Sequence, residues 1–341
     1  MKRANRNRLI AVMAAAVSSF LLLSGFDSAL TAQDVIDRAQ ESMLDMNSIS
    51  AQVTGVADIM LDMSSGEESM SIPAKGNLDM EVKMVMEPFA YYVGGTMSGD
   101  ASSFGLAGEM AMEVYMIAEE DGSGKVYVSV SGIEGEEGWH AAPISAEDMQ
   151  KFADMIEASR TGDLSYASEV TGMDLKALQD QMFSGAELAP DAVNVNGQDC
   201  YEISIPVTGD MMSDIISQMA AANEEMGIDE TTLSIINMFL NPVRMDVVED
   251  FSVDTFQPVY AGFDLAGSDF SMFGPMIGSL VFNSGENSTE AAPDINLTIN
   301  ALNLSAVYDQ EPAVIEVPEE ALGAEMEETE IELYPALENA S

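Results

Sequence analysis

Side chains suited to nucleophilic catalysis are few in this sequence. The chain of 341 residues contains one histidine, His140, and one cysteine, Cys200. A nucleophilic enzyme needs a base within hydrogen-bond reach of its nucleophile. Cys200 begins an alternating strand pattern, which predicts a small packed side chain instead of a reactive thiol. We interpret His140, which follows Trp139, as a strand-edge or loop residue.

Metal and phosphate sites of the common kinds also lack their residues. One histidine and one cysteine complete a zinc site only if carboxylates supply the other ligands. The run Gly122-Ser123-Gly124-Lys125 lacks the earlier glycine of a P-loop, and Glu119-Glu120-Asp121 would hold Ca²⁺ weakly. With 59 acidic residues, some carboxylate pair is always available, so a pair alone does not indicate a glycosidase. We expect no enzyme activity and no cofactor.

Methionine is the unusual residue of this chain, which has 27 of them beside 13 phenylalanines and 9 tyrosines. Residues 78–86 and 110–116 place apolar side chains at every second position, which predicts strands with one apolar face. Three interpretations of the methionines remain open: core filling, the lining of an adaptable apolar cavity, and a soft Cu(I) site. The cavity interpretation predicts these ligand-binding residues: Met80, Val82, Met84, Met86, Met110, Met112, Val114 and Met116.

The charge balance restricts the class of partner. The formal net charge is −47, from 59 acidic and 12 basic residues, which repels nucleic acid and anionic lipid headgroups. The hydrophobic content of 47% is enough for a sizeable core. We therefore expect a monomer whose partner is a hydrophobic small molecule or lipid, with an envelope protein as a second candidate.

The amino terminus has the pattern of an export signal. Residues 1–8 are basic and an apolar run extends from Leu9 to Leu23, which predicts a signal peptide over 1–32 and an extracellular or cell-surface location. The following Leu22-Leu23-Ser24-Gly25-Phe26 is similar to a lipobox, but Phe26 stands where the lipid-bearing cysteine is expected. We predict a single domain over 33–322 and an acidic flexible tail over 323–341.

Periodicity predicts an α+β fold. Thr31 and Asp34 predict a helix start, Ser145 a second one, and Asn196-Gly197 a hairpin turn. Residues 64–70 and the glycine- and serine-rich run 94–108 are predicted as connections. The predicted helices are 32–46, 145–158, 171–183, 210–226 and 229–240; the predicted strands are 49–63, 76–87, 89–97, 109–118, 125–133, 243–249, 256–266 and 294–308.

Two further local features are predicted from the sequence. The apolar parity of strand 294–308 changes between Ile299 and Leu302, which predicts a bulge or bend. The Met-rich loop 272–277 is predicted to be a lid over the cavity. Together these patterns predict a strongly bent antiparallel sheet, a half-barrel, with helices packed on its concave face.

Six segments of the sequence together carry a family resemblance: Ala39-Gln40-Glu41-Ser42-Met43, Ser48-Ile49-Ser50, Val195-Asn196-Gly197-Gln198-Asp199-Cys200-Tyr201, Pro242-Val243-Arg244-Met245, Phe256-Gln257-Pro258-Val259 and Val317-Pro318-Glu319-Glu320-Ala321-Leu322. With them, the chain resembles bacterial surface lipoproteins of the LolA/LppX-like fold, in particular their poorly characterised Gram-positive branch. The resemblance implies a half-barrel around a hydrophobic cavity, which in better-known relatives carries lipid or a lipidated partner. Phe26 stands where the family has its lipid-bearing cysteine, so a lipid anchor attached at this position is not expected.

The sequence thus predicts a non-enzymatic extracytoplasmic protein that binds or carries a hydrophobic ligand in a Met-lined cavity. The alternative is a structural or protein-interaction module of the cell envelope with a solid core. A third hypothesis is a metal-buffering protein.

Overall fold

The computed structural model describes residues 30–65, 68–101, 106–132, 138–161, 183–222, 243–265 and 294–326, with a few single positions between 168 and 240. Residues 1–29 of the predicted signal peptide, the lid 272–277, most of the helices at 171–183 and 229–240, and the tail from residue 327 onward lie outside the described residues. The last two residues of the predicted signal peptide, Thr31 and Ala32, cap and begin the first helix.

The described residues are mostly antiparallel sheet, with few helices. The strands are β1 (Ser48–Ser65), β2 (Glu68–Val85), β3 (Ala90–Ala101), β4 (Leu106–Ala118), β5 (Gly124–Ser131), β6 (Trp139–Ile144), β7 (Glu187–Leu188), β8 (Val193–Val195), β9 (Gln198–Thr208), β10 (Arg244–Ser252), β11 (Pro258–Asp264) and β12 (Asp294–Asp309). The helices are α1 (Ala32–Leu44), α2 (Ala146–Thr161), α3 (Gly209–Ala222) and α4 (Glu319–Leu322).

Within these ranges, the strands form one open sheet in the order β6-β5-β4-β3-β2-β1-β12-β11-β10-β9-β7, with β8 paired to β9. The first and last long strands, β1 and β12, therefore lie side by side in the middle. Their register shifts between Asp58 and Ile59, where Asn300 of β12 is the extra residue. This shift confirms the predicted bulge, because an unpaired residue moves the following side chains to the other face.

The connection predicted at 64–70 is wrong in extent. Strands β1 and β2 pair along their whole length, from Ser48 with Val85 to Ser65 with Glu68. Apolar residues at Met70 and Ile72 face Met63 and Leu61 across the pair, so the alternation continues through the serine- and glutamate-rich stretch.

The loose connection predicted at 94–108 is also wrong for the part of it that the structure describes, residues 94–101 and 106–108. Residues 94–101 belong to β3, and β4 begins at Leu106. Glycine has low strand propensity, which made the run look like a loop. β3 lies between β2 and β4, and pairing on both sides satisfies its backbone groups regardless of the side chains.

The predicted helix starts are confirmed. The Thr31 side chain accepts a hydrogen bond from the Asp34 N–H, and the Asp34 carboxylate accepts one from the Thr31 N–H at 2.6 Å, which is a capping box. The Ser145 Oγ accepts a bond from the Asp148 N–H at 3.1 Å and caps α2. The Asn196-Gly197 turn between β8 and β9 is confirmed, with both residues at positive φ.

Both capped helices pack on the same side of the sheet, which we call the helix side. The Phe152 ring of α2 meets the Tyr91 ring of β3 edge to face at 6.5 Å, in a cluster that also buries Met84 and Met43 of α1. In a second cluster, Val35, Ile36 and Ala39 of α1 pack with Ile203 and Ile205 of β9. The two clusters share α1, which connects the two halves of the sheet.

On the far side of the sheet, the segment around α4 covers a smaller cluster. Ala321 of α4 is fully buried among Tyr115, Tyr127 and Ala141. The segment is held by a hydrogen bond from the Ala313 N–H to the Ser48 Oγ at 2.9 Å. None of the described helices is long and apolar enough to cross a membrane.

Candidate functional site

A row of glycines crosses the helix side of the sheet at the end away from α1 and α2. Gly76 of β2 pairs with Gly99 of β3, and Gly99 pairs with Gly108 of β4. Ala57 of β1 pairs with Gly76 and continues the row. Directly paired residues share a face, so these four positions leave a strip almost without side chains. Three inter-strand steps give it a length of about 14 Å.

Larger apolar side chains border this strip. In the next row toward the helices, Leu78, Met97 and Met110 stand on the same three strands as the glycines. Together they enclose an open groove of about 650 Å³, within the range typical of ligand pockets. Its lining is predominantly apolar and comprises Gly55, Val56, Ala57, Gly76, Asn77, Leu78, Met97, Ser98, Gly99, Gly108, Glu109, Met110, Gly132, Phe263, Leu302, Asn303 and Leu304.

Packing does not require glycine at the three floor positions. A Cβ on Gly108 would have no atom within 4 Å, and one on Gly99 would lie 3.7 Å from the Lys75 carbonyl oxygen. A Cβ on Gly76 would meet Ser98 O at 3.6 Å, an ordinary contact. None of the three has a positive φ. Gly95 differs, because a Cβ there would overlap the Asp79 backbone.

The eight predicted lining residues occupy three environments. Met110 lines the groove, and Met86 is partly buried against the core. The remaining six are at most 8% exposed in the cluster that also contains the α2 residues: Met80, Val82, Met84, Met112, Val114 and Met116. All eight lie on the helix side, as their alternation predicts. Their contact with a ligand remains a prediction.

One buried acid lies on the helix side near the groove. Glu249 of β10 pairs directly with Ala261 of β11, two residues from the groove residue Phe263. Glu249 is 7% exposed, and burial raises the pKa of its carboxyl to about 8. This acid is therefore mostly protonated at neutral pH. On β12, burial and the charge of Glu249 raise the pKa of Tyr308.

The residues first considered for catalysis are not brought together. His140 belongs to β6 at one end of the strand order, and Cys200 belongs to β9 near the other end. Cys200 is fully buried, and burial followed by the charge of Asp250 raises the pKa of its thiol to about 11. A thiol with this pKa has little thiolate at neutral pH. Among the described residues, no group of three or more His, Cys, Asp and Glu side chains is arranged to hold a metal ion.

The sequence matches no protein-family model and no curated protein. Among solved structures, the chain is similar to the lipoprotein LppX of Mycobacterium tuberculosis, with 11% identity over 83% of this chain and 96% of that chain, at a TM-score of 0.30. It is also similar to LprF from Mycobacterium bovis, with 10% identity over 85% and 97% of the two chains, at a TM-score of 0.31.

A more distant similarity is to a putative outer membrane lipoprotein-sorting protein domain from Vibrio parahaemolyticus. It has 9% identity over 80% of this chain and 89% of that chain, at a TM-score of 0.18. At these TM-scores, the similarities establish neither a family nor an activity for this chain.

Sequence reasoning missed the floor of the groove and Glu249. A signal for the floor existed, because Gly95, Met97 and Gly99 alternate with polar residues in the pattern of a strand. The alternation of Val247, Glu249 and Phe251 likewise puts an acid on an apolar face, which marks Glu249 as unusual.

Proposed function

We propose that this protein is a non-enzymatic, extracytoplasmic binding protein that holds a hydrophobic ligand in the open groove. The observation that carries the proposal is the open apolar groove of about 650 Å³ over a glycine floor that neither packing nor backbone conformation requires. Each methylene group removed from water contributes about 0.8 kcal/mol, so an acyl chain in the groove would gain substantial binding energy.

The shape of the groove favours an extended ligand over a broad one. The strip is about 14 Å long across the strands. Residues two apart along a strand are separated by about 7 Å, which sets the distance from the floor to the bordering row of Leu78, Met97 and Met110. A single acyl chain fits such a slot.

The methionine lining belongs to the same proposal. Met97 and Met110 border the groove, and Met80 and Met112 lie one row closer to the helices. Unbranched thioether side chains change rotamer easily, so their movement would extend the groove toward the core for a longer ligand. In this proposal the sheet bends around the ligand, with the helices on its concave side.

Because a signal peptide is predicted over 1–32, we propose that the protein binds its ligand outside the cytoplasm, either at the cell surface or free in the extracellular medium. The acidic surface suits a protein that collects an uncharged apolar ligand, because a net charge of −47 disfavours binding to anionic membranes.

The test is to purify the protein from a bacterial host without detergent, extract it with organic solvent and analyse the extract by mass spectrometry beside a mock preparation. The proposal predicts an apolar compound near one equivalent, or saturable binding of an added acyl compound. A clean extract, with no thermal stabilisation by fatty alcohols, fatty acids or phospholipids, would contradict it.

The alternative function is an envelope interaction module with a solid core. The burial of six of the eight predicted lining residues favours this alternative, because that part of the helix side is filled by its own side chains. A protein that binds no apolar compound but captures a defined envelope partner would support it.

A further inference from the structure

Met97 is the more accessible of the two methionines that border the groove. Its side chain is 49% exposed, and Met110 beside it on β4 is half-buried. Met80 and Met112, one row closer to the helices, are at most 8% exposed. The Met97 thioether is therefore open both to a ligand in the groove and to small reagents in the solvent.

The neighbours of Met97 on its own strand explain this exposure. Gly95 and Gly99 precede and follow it on the same face of β3, so neither adjacent position carries a side chain that shields it. Across the strand pairs it faces Leu78 on β2 and Met110 on β4. Its thioether thus has apolar neighbours at its sides and open space toward the glycine floor.

We propose that Met97 is an oxidation site, and that its conversion to methionine sulfoxide by hydrogen peroxide weakens ligand binding in the groove. The sulfur lone pair attacks one peroxide oxygen and the O–O bond breaks. That oxygen stays on the sulfur, and the departing hydroxide takes its proton and leaves as water. The sulfur loses the two electrons that the peroxide gains. This inference rests on the proposed function, because the sulfoxide acts only on a ligand that lies against Met97.

Oxidation makes an apolar border of the groove polar. A sulfoxide oxygen is a hydrogen-bond acceptor that water solvates, and a bound apolar ligand would remove that water. Leu78 and Met110, which face Met97 across the strand pairs, have no hydrogen-bond donor to replace it. Covering an unpaired polar group costs binding free energy, so affinity for an apolar ligand falls.

The position of Met97 makes this oxidation selective and reversible. Met84 and Met116 are at most 8% exposed in the core cluster, so peroxide reaches them only when the protein opens. Methionine sulfoxide reductases return an accessible sulfoxide to the thioether. Met70 is a matched control, because it is 54% exposed but lies on β2 six residues before Gly76, about 20 Å along the strand from the groove floor.

The test treats the full chain with hydrogen peroxide, removes the excess with catalase and measures displacement of N-phenyl-1-naphthylamine by 1-dodecanol. Peptide mass spectrometry follows the sulfoxide at Met97, Met70 and Met84. We expect Met97 to be oxidised at least tenfold faster than Met84, and the affinity for 1-dodecanol to fall about tenfold as its sulfoxide forms. Treatment with both methionine sulfoxide reductases, one for each epimer, should restore the affinity.

Two variants identify the responsible sulfur. Met97→Leu has no oxidisable sulfur at this position, so peroxide should change its own affinity for 1-dodecanol by less than about twofold. Met70→Leu should bind like the wild-type protein and still lose affinity about tenfold after peroxide.

Three results would contradict the proposal. Full affinity with Met97 oxidised, or an equal loss in wild type and Met97→Leu, would overturn the oxidation site and leave the binding function intact. Oxidation of Met97 no faster than that of Met84 would overturn its accessibility. A wild-type protein that binds no 1-dodecanol before peroxide, nor any other apolar compound, would overturn the proposed function and this inference with it.

Discussion

Gly99 of β3 and Gly108 of β4 pair directly on the helix side of the sheet, and together they form the barest part of the groove floor. A methyl group at either position would meet at most one backbone oxygen at van der Waals distance. Glycine in a strand interior weakens the strand because it loses more backbone entropy and packs nothing. Two glycines that destabilise the sheet without a packing reason are consistent with selection for an open floor.

Filling the floor should block ligand binding without unfolding the protein. Gly99→Leu places a side chain in the groove, so we expect at least a tenfold loss of affinity for 1-dodecanol, measured by displacement of N-phenyl-1-naphthylamine. The melting temperature should not fall, because leucine is a better strand residue than glycine.

Thr96→Leu is the matched control for this variant. Thr96 is exposed on the same strand, and its pairing with Asp79 puts it on the far side of the sheet. The Thr96→Leu variant should bind 1-dodecanol as tightly as the wild-type protein. Equal affinities of Gly99→Leu and Thr96→Leu would place the ligand elsewhere.

Glu249 should make the protein less stable as the pH rises. The pKa of its carboxyl is about 8 in the folded protein against an ordinary value of 4.5, so the folded state binds more protons between these values. The free energy of unfolding therefore falls as the pH rises from 4.5 to 8, by up to about 5 kcal/mol from this group.

The measurement is urea unfolding of wild type and Glu249→Gln at pH 5, 6.5 and 8. The glutamine cannot ionise, so the variant should gain on the wild type as the pH rises. Asp250, whose pKa burial and Glu202 raise to about 6, adds a slope of the same sign to both proteins and cancels in the difference. A difference that stays constant with pH would show that Glu249 ionises normally.

Arg160 should be a main connection between the two helices. Its Nη2 donates hydrogen bonds to the carbonyl oxygens of Leu44 at 2.5 Å and Met43 at 3.3 Å, at the carboxyl end of α1. Carbonyls of the last helical turn lack the usual donor four residues on, although the Met43 carbonyl also accepts a bond from the Met46 N–H at 3.2 Å. A cation there also complements the helix dipole. Arg160→Met should cost about 1–3 kcal/mol in the free energy of unfolding.

Glu157→Gln provides the control for Arg160. The Arg160–Glu157 pair at 3.2 Å is partly exposed, so its loss should cost less than about 1 kcal/mol. If Arg160→Met and Glu157→Gln destabilise the protein equally, the carbonyl contacts do not hold α1.

The buried methionines should tolerate a change of chemistry better than a change of volume. Met84 is 8% exposed and packs in the cluster that contains Tyr91 and Phe152. Met84→Leu conserves volume and should cost less than about 1.5 kcal/mol, whereas Met84→Ala leaves a cavity and should cost about 2–5 kcal/mol. Chemical unfolding measures both; a large loss with leucine would indicate a specific role for the thioether.

Local sequence signals predicted some elements of this fold well. The Thr31–Asp34 capping box, the Asn196-Gly197 turn and the bulge near Ile299 were all predictable, because each depends on residues close together in the chain. The glycine-rich part of β3 was not, because its strand form depends on pairing with β2 and β4. Tertiary context overrode local propensity there.

The same limit applies to the candidate site. Alternation placed Met80 and Met110 on one face, but it did not show that the first is packed under the helix cluster and the second borders the open groove. That difference depends on where α1 and α2 end over the sheet. The position of Glu249 beside Phe263 likewise follows from the register of β10 and β11, which the sequence alone does not fix.

A crystal structure of the protein grown with 1-dodecanol would test the central claim most directly. The account predicts an extended acyl chain over Gly76, Gly99 and Gly108, bordered by Leu78, Met97 and Met110. A groove that stays empty at saturating ligand, or a chain bound on the far side of the sheet, would contradict it.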